Sequence, residues 1–523
     1  MASHPTGFTA LRKQLFVNSG LLGVSRLLSL GTSLVTVPVV LSRLGLDGYG
    51  GWEAMMAIAA LVTVFQTTVN GTLVWKMSAA YGTGDVAGIR RLMGMGIAAV
   101  LGMVALITPF VWTMRYQLVG LSNIPPLYRA AAVWVIPILV SQTTLGAAGE
   151  TFAAVLIAHQ RAGVTTLIQT AALMANSGFA IIGLLHGWQV WSLLLGNTVG
   201  VVAAIAGQYL AVVKICGIAS LRPHVPNWAE ARPLLGYAGF LAIGQISIAL
   251  RDQADKLVLA SVGSTVWTAW FGLAWRLANL ALMVCTFFYV PLVSAVAALA
   301  ANGDWVGVRR IYANTMILMP YLAGAFVVVV ASAYDRLLMI WIGRSVPQVG
   351  PILFILLTGN IIAVVLTGVG SSLCKGIGKV SMETIYIIIC VVANVVLKLI
   401  LTPWLGPIGT VLSSAVSWAL GSIIFVIMLH RAVELPNTAI RAAAMIPMMF
   451  VAVMITRAAT GVLPASTTRL HALVAAAEIG LFSVALFTGL LVATRILPWS
   501  TLRRAGAALR VFTLGRLGVR YAF

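Results

Sequence analysis

The chain has 523 residues, of which 60% are hydrophobic and 9% charged, against about 25% charged in an average soluble domain. That apolar excess excludes a soluble enzyme and a disulfide-stapled secreted scaffold. Lys plus Arg is 33 and Asp plus Glu is 12, a formal net charge of +21. The basic residues stand between long apolar runs, which excludes a nucleic-acid partner and points to lipid headgroups and the bilayer.

A helix needs roughly 20 apolar residues to cross a bilayer. Along the chain such runs fall near 15–42, 52–75, 92–114, 130–157, 165–186 and 190–213, then near 233–261, 266–299, 311–333, 351–373, 381–402 and 408–429. Two more lie near 440–460 and 471–497. The pattern predicts an all-α polytopic membrane protein of about fourteen transmembrane helices. Arg12 and Lys13 precede the first run, which reaches about Ser42 with no A-x-A cleavage site and reads as a retained helix. With both termini placed in the cytoplasm, 21 Lys and Arg fall on the inner side, seven on the outer side and five within spans. That bias is the positive-inside pattern of a membrane protein with both termini in the cytoplasm.

The chain repeats itself. Gly84-Asp85-Val86-Ala87-Gly88-Ile89-Arg90-Arg91 returns as Gly303-Asp304-Trp305-Val306-Gly307-Val308-Arg309-Arg310 at an offset of 219. Gly45, Tyr49 and Trp52 correspond to Gly263, Trp267 and Trp270 at 218, as Ala175-Asn176 does to Ala393-Asn394. Six helices per repeat make the halves parallel copies related by an axis along the membrane normal. The expected architecture is therefore two pseudo-symmetric six-helix lobes around a central cavity, working by alternating access. The N-lobe is 1–214, a cytoplasmic linker 215–232, the C-lobe 233–430, two added helices 431–498 and a basic tail 499–523. That tail mixes arginine with apolar residues and suits the anionic inner leaflet.

Asn18, Arg26, Val37-Pro38, Leu41, Leu44-Gly45, Gly48-Tyr49-Gly50 and Trp52, followed by Gly84-Asp85, resemble the polysaccharide transporters of the multidrug/oligosaccharidyl-lipid/polysaccharide (MOP) exporter superfamily. The resemblance spans about residues 15–430. It implies a flippase that carries undecaprenyl-pyrophosphate-linked oligosaccharide from the inner to the outer leaflet, for O-antigen or exopolysaccharide biosynthesis. A polysaccharide polymerase or export proteins in the same membrane are the implied partners. Family sequences often carry an acidic Asp-x-Gly near the end of the second span, where this chain has Gln66 and Asn70-Gly71.

The charges within spans supply the chemistry. Each costs about 2.5–3.5 kcal/mol at mid-bilayer and so faces a cavity or a partner. Arg26 lies roughly 18 and 24 Å from the two ends of its helix at 1.5 Å per residue, beyond the reach of snorkelling. On the seventh span Arg251 with Asp255, and Asp252 with Lys256, form i,i+4 pairs. Arg276 and Lys398 have no acid at helical spacing. Arg26, Arg251, Lys256, Arg276 and Lys398 are therefore the candidate pyrophosphate ligands, because fixed cations replace the water an anion loses. Against this stands permanent pairing of each cation with a carboxylate. Trp52, Gln66, Asn70 and Trp270 are candidate sugar contacts, although interfacial tryptophans also serve as belt anchors. Glu150, Asp252 and Asp255 are candidates for coupling to H+ or Na+, or else arginine partners.

Neither Walker A, HExxH nor GxSxG occurs, and Cys216, Cys285, Cys374 and Cys390 form no ligand pattern. No enzyme activity, resident cofactor or metal is expected. The competing readings are a lipid II flippase, which shares the pyrophosphate, and a multidrug antiporter, which needs cavity carboxylates where the first span offers Arg26 and no acid.

Overall fold

The computed structural model describes residues 8–121, 123–218, 222–379, 381–461 and 468–497; these are helices joined by short turns, with no strand among the described residues. The expected tail at 499–523 lies outside the described residues. Ten of the described helices are long and apolar enough to cross a membrane. Helices close every backbone hydrogen bond within one segment, which the bilayer interior requires. The chain is a multi-pass membrane protein.

Helix α1, Phe8–Ala60, runs through the expected first loop with a break at Gly45 (φ 70°, ψ −176°), a conformation open to glycine. The expected second span at 52–75 is not one helix. It is divided by a turn at Leu61–Val62 between α1 and α2, Thr63–Gly82. There follow α3 (Val86–Thr113), α4 (Arg115–Leu121), α5 (Pro126–Ala158), α6 (Ala162–Leu185) and α7 (Gln189–Ala211), the last extended by a π turn, Val212–Cys216. Then come α8 (Trp228–Val262), α9 (Thr265–Ala301), α10 (Trp305–Ile342), α11 (Val349–Ala363) and, after a π turn at Val364–Gly368, α12 (Val369–Gly376). Helix α13, Ser381–Ala432, is 52 residues long and breaks at Gly406 (φ 60°, ψ −142°), so that each part is long enough for a crossing. Helices α14 (Thr438–Thr460) and α15 (Arg469–Ala493) end the described chain.

The tandem repeat is written into the backbone. Gly84 and Gly303 turn the chain with φ of 73° and 72°. Asp85 and Asp304 then cap the next helix, accepting from the N–H of Gly88 at 2.7 Å and of Gly307 at 2.8 Å. Such a cap satisfies an amide that the helix leaves without a partner. Positive φ recurs at Gln160 and Gly378, and at Gly187 and Gly406, again 218 and 219 positions apart.

Packing forms two compact units, Met1–Gly272 with Thr402–Thr410, and Leu273–Leu401 with Val411–Phe523. In the first, α2, α3 and α5 meet around Met77, Met93 and Val155. Helices α6 and α7 approach through Gly196 and Gly200, where a Cβ would lie 2.4 Å from the Asn176 carbonyl oxygen and 2.9 Å from its Cβ. Small residues permit such close approach where lipid supplies no hydrophobic drive. The stretch 222–227, which the sequence assigns to the linker, lies on α3, with the His224 N–H donating to Gly94 O at 3.0 Å. Helix α8 packs on α1 and α2 in this same unit. In the second unit α14 and α15 pack on α10: Gly324 lies against Met449 and Phe487, and Tyr321 Oη is 3.1 Å from Thr488 Oγ1.

Candidate functional site

Polar side chains within the apolar helices of the first unit gather in two places. One is the break in α1. Gly45 redirects the helix, and Glu53, eight residues on, accepts a hydrogen bond from Lys256 Nζ of α8 at 2.8 Å. The side chains are 7% and 16% exposed. Lys256, expected to pair with Asp252 one turn back, thus has its described ion pair with a residue 203 positions away. Asp255 beside it is 1% exposed. Trp52 is half-buried next to Glu53. Trp270 packs edge-on against Trp267 at 5.1 Å, with its indole N–H buried and without an acceptor among the described residues.

The second place joins α2, α5, α6 and α7. Asn70 Nδ2 donates to Glu150 Oε2 at 2.8 Å and to the Glu150 carbonyl at 3.0 Å, while Gln169 Nε2 donates to Oε1 at 3.1 Å. Both carboxylate oxygens are therefore held by neutral amides from separate helices. Gln66 Nε2 donates to the Thr143 carbonyl. Gln142 Nε2 donates to Thr198 Oγ1 at 2.6 Å and its Oε1 accepts from Asn197 at 2.6 Å. Of the candidate sugar contacts, Gln66 and Asn70 direct amide donors onto α5. Gln169 and Asn197 escaped the sequence reading, because an amide on an apolar helix gains meaning only when its neighbours are known.

In the second unit Lys398 is 7% exposed on α13. Its Nζ donates to Asn394 Oδ1 one turn back and to Ser414 Oγ at 3.4 Å. Asn394 in turn donates to Ser414 at 2.8 Å and Ser417 at 3.3 Å. Neutral oxygens of Asn394 and Ser414 are thus among the partners of the ammonium. Arg276 is half-buried on α9, next to Trp275, which packs 5.9 Å from Trp418. The side chains of Arg26, Arg251 and Asp252 lie outside the described residues. Among the described residues no cluster of His, Cys, Asp and Glu has the makings of a metal site.

No protein-family model and no curated protein sequence matches the chain. Solved structures do. The lipid II flippase MurJ in an inward closed conformation is similar with TM-score 0.68 and 13% identity, covering 92% of this chain and all of that one (100%). An inward-facing multidrug resistance MATE family transporter of the MOP superfamily gives TM-score 0.66 and 15% identity, over 77% of this chain and 94% of the other. This chain shares the fold of these two structures. A variant of the Vibrio cholerae MATE transporter VcmN aligns with TM-score 0.57 and 18% identity, over 83% and 99% of the two chains. At such identities the likeness is one of fold, and the cargo has to be argued from this chain's own residues.

Proposed function

We propose that the protein is a flippase for undecaprenyl-pyrophosphate-linked oligosaccharide, carrying it from the inner to the outer leaflet of the bacterial cytoplasmic membrane by alternating access. The observation that carries this reading is the set of basic residues on membrane helices of a MOP fold. Lys398 is buried with Asn394 and Ser414 among its acceptors, and Arg26 stands on a first span with no acid. Arg26, Arg251, Lys256, Arg276 and Lys398 act as the pyrophosphate ligands, exchanging water for fixed positive charge. Half-buried Trp52 and the polar groups at Gln66, Asn70 and Trp270 meet the sugars. A cation-rich path repels the cationic drugs of a multidrug exporter and attracts a pyrophosphate. Glu150, and with it Asp252 and Asp255, binds the coupling ion, a proton or Na+. A polymerase or export protein in the same membrane takes up the product.

Lipid II is the second reading, because it carries the same anionic group and MurJ aligns over its whole length. The experiment is to disrupt the gene and measure lipid-linked oligosaccharides by mass spectrometry, separating the inner-leaflet from the outer-leaflet pool. An inner-leaflet undecaprenyl-pyrophosphate oligosaccharide with loss of surface polysaccharide supports the proposal. Accumulated lipid II supports the second reading. Unchanged lipid pools with new sensitivity to cationic drugs refute both.

A further inference from the structure

The ion pair between Glu53 and Lys256 sits beside a contact that joins equivalent points of the tandem repeat. Asp47 and Thr265 are 218 positions apart, the repeat offset, and Thr265 Oγ1 donates to Asp47 Oδ1 at 3.4 Å. Gly50 lies so close to this turn that a Cβ there would be 1.7 Å from the Thr265 carbonyl oxygen. Asn123 Nδ2 adds a hydrogen bond to the Ser261 carbonyl at 2.6 Å. The turn between α8 and α9 is thus seated on the turn in α1, backbone against backbone. Glu53, six residues after Asp47, and Lys256, nine before Thr265, brace the seam.

The two partners are not equally accessible. The Glu53 side chain is the more buried and the Lys256 side chain the more exposed, at 7% and 16%. The Lys256 side chain is thus the more open of the two to an anion arriving at the seam. A pyrophosphate, with more negative charge than one carboxylate and more acceptor oxygens, is the stronger partner for it. A buried pair resists disruption because the abandoned charge stays desolvated, so the ammonium changes partner only when a strong anion replaces Glu53.

We propose that Glu53 is a built-in competitor of the anionic cargo for Lys256, holding the turns of Asp47 and Thr265 together until a phosphate takes the ammonium. The inference rests on the cargo bearing a pyrophosphate. Glu53 is a positioning residue here, since it acts through Lys256 and not on the cargo. Opening of this seam is thereby tied to loading.

The test uses the full-length chain in vesicles, with its four cysteines replaced by serine and the pair Asp47→Cys/Thr265→Cys added. Disulfide formation under a mild oxidant reports closed turns, and inorganic pyrophosphate is the probe. Pyrophosphate is expected to slow cross-linking in the parent. Glu53→Gln is expected to slow it without pyrophosphate and to lower the half-effective pyrophosphate concentration about tenfold, the ratio that 1.4 kcal/mol gives. Lys256→Gln also slows cross-linking but removes the response to pyrophosphate. The reversed pair, Glu53→Lys with Lys256→Glu, restores cross-linking without that response, which guards against a variant that merely misfolds. Parental cross-linking in Glu53→Gln, an unchanged response in Lys256→Gln, or failure of the reversed pair overturns the proposal. So does a parent indifferent to pyrophosphate, and this outcome is independent of the lipid pools that identify the cargo.

Discussion

Asn70 holds Glu150 at two points, donating one N–H to the carboxylate Oε2 at 2.8 Å and one to the carbonyl of the same residue at 3.0 Å. The contact ties α2 to α5 and leaves the second carboxylate oxygen to Gln169 of α6 at 3.1 Å. Removing one partner of a half-buried carboxylate costs about 1–3 kcal/mol. Asn70→Ala is therefore expected to lower the melting temperature in detergent by about 1–3 °C. Glu150→Gln keeps the size but turns an amide nitrogen toward Asn70 or Gln169, so that Gln169 must flip to accept; under the proposed coupling role it is expected to fold and to lose the dependence of transport on the coupling ion. Ion-dependent transport at the parental level in Glu150→Gln would remove Glu150 from the coupling candidates.

The close approach of α6 and α7 predicts a sharp contrast between two glycines. At Gly196 a side chain has no room, with backbone oxygen at 2.4 Å and the Ala180 Cβ at 2.9 Å, whereas at Gly178 of α6 nothing lies within 4 Å. Gly196→Leu is expected to separate the two helices and to leave little protein that survives extraction and size-exclusion chromatography. Gly178→Ala is expected to be neutral or to stabilise by about 0.5–1 kcal/mol through the helix preference of alanine. Equal behaviour of the two variants would show that the α6–α7 contact does not depend on glycine.

How much of this was legible beforehand depends on whether the cause is local. The octet at 84–91 and 303–310 was legible as a repeat, and the structure gives both copies the same helix cap, at Asp85 and at Asp304. Apolar runs identified a multi-pass helical protein because bilayer thickness fixes their length. The turn at Leu61–Val62 escaped the reading, since neither residue breaks helices by propensity and the sequence there stays apolar. The partner of Lys256 was equally hidden. An i,i+4 acid is visible in any helix, but Glu53 becomes its neighbour only after Gly45 has turned α1. Acids, amides and cations on membrane helices can be counted from sequence, whereas their pairing is a tertiary fact.

On the side of α3 that carries Arg91, Glu230 gathers three contacts: Arg91 Nη1 at 3.1 Å, His224 Nε2 at 3.2 Å and the Asn227 backbone N–H at 3.2 Å. The hydrogen bond from His224 comes first among the causes that lower the Glu230 pKa below its ordinary value, with the Asn227 amide and the Arg91 charge adding to it against desolvation. A carboxylate with a depressed folded-state pKa contributes stability in full above its unfolded pKa and loses it as pH falls through the folded value. Docking of 222–227 on α3 is therefore expected to hold at neutral pH and to weaken below about pH 4.3, the unfolded glutamate range. Hydrogen exchange at 222–230 checks this. Glu230→Gln should raise exchange at neutral pH and flatten its acid dependence; an unaltered acid profile would place the pH sensitivity elsewhere.

Lys398 separates cargo binding from stability. Its ammonium is buried with Asn394 and Ser414 among its acceptors, and a buried charge carries a desolvation cost. Removing the ammonium relieves that cost but leaves Asn394 Oδ1 without its donor, a penalty of about 1–3 kcal/mol. With these two effects opposed, Lys398→Met is expected to melt near the parental temperature while, under the proposed function, flipping of a pyrophosphate-linked oligosaccharide in reconstituted vesicles falls at least about tenfold, as loss of one charge-assisted contact of about 1.5–3 kcal/mol implies. Lys398→Arg keeps the charge but brings a larger fork into a site shaped by Asn394, Ser414 and Ser417, and is expected to fold less well and to retain more transport than Met. If Lys398→Met both destabilises the protein and transports normally, the lysine belongs to the architecture of α13 and not to the path of the cargo.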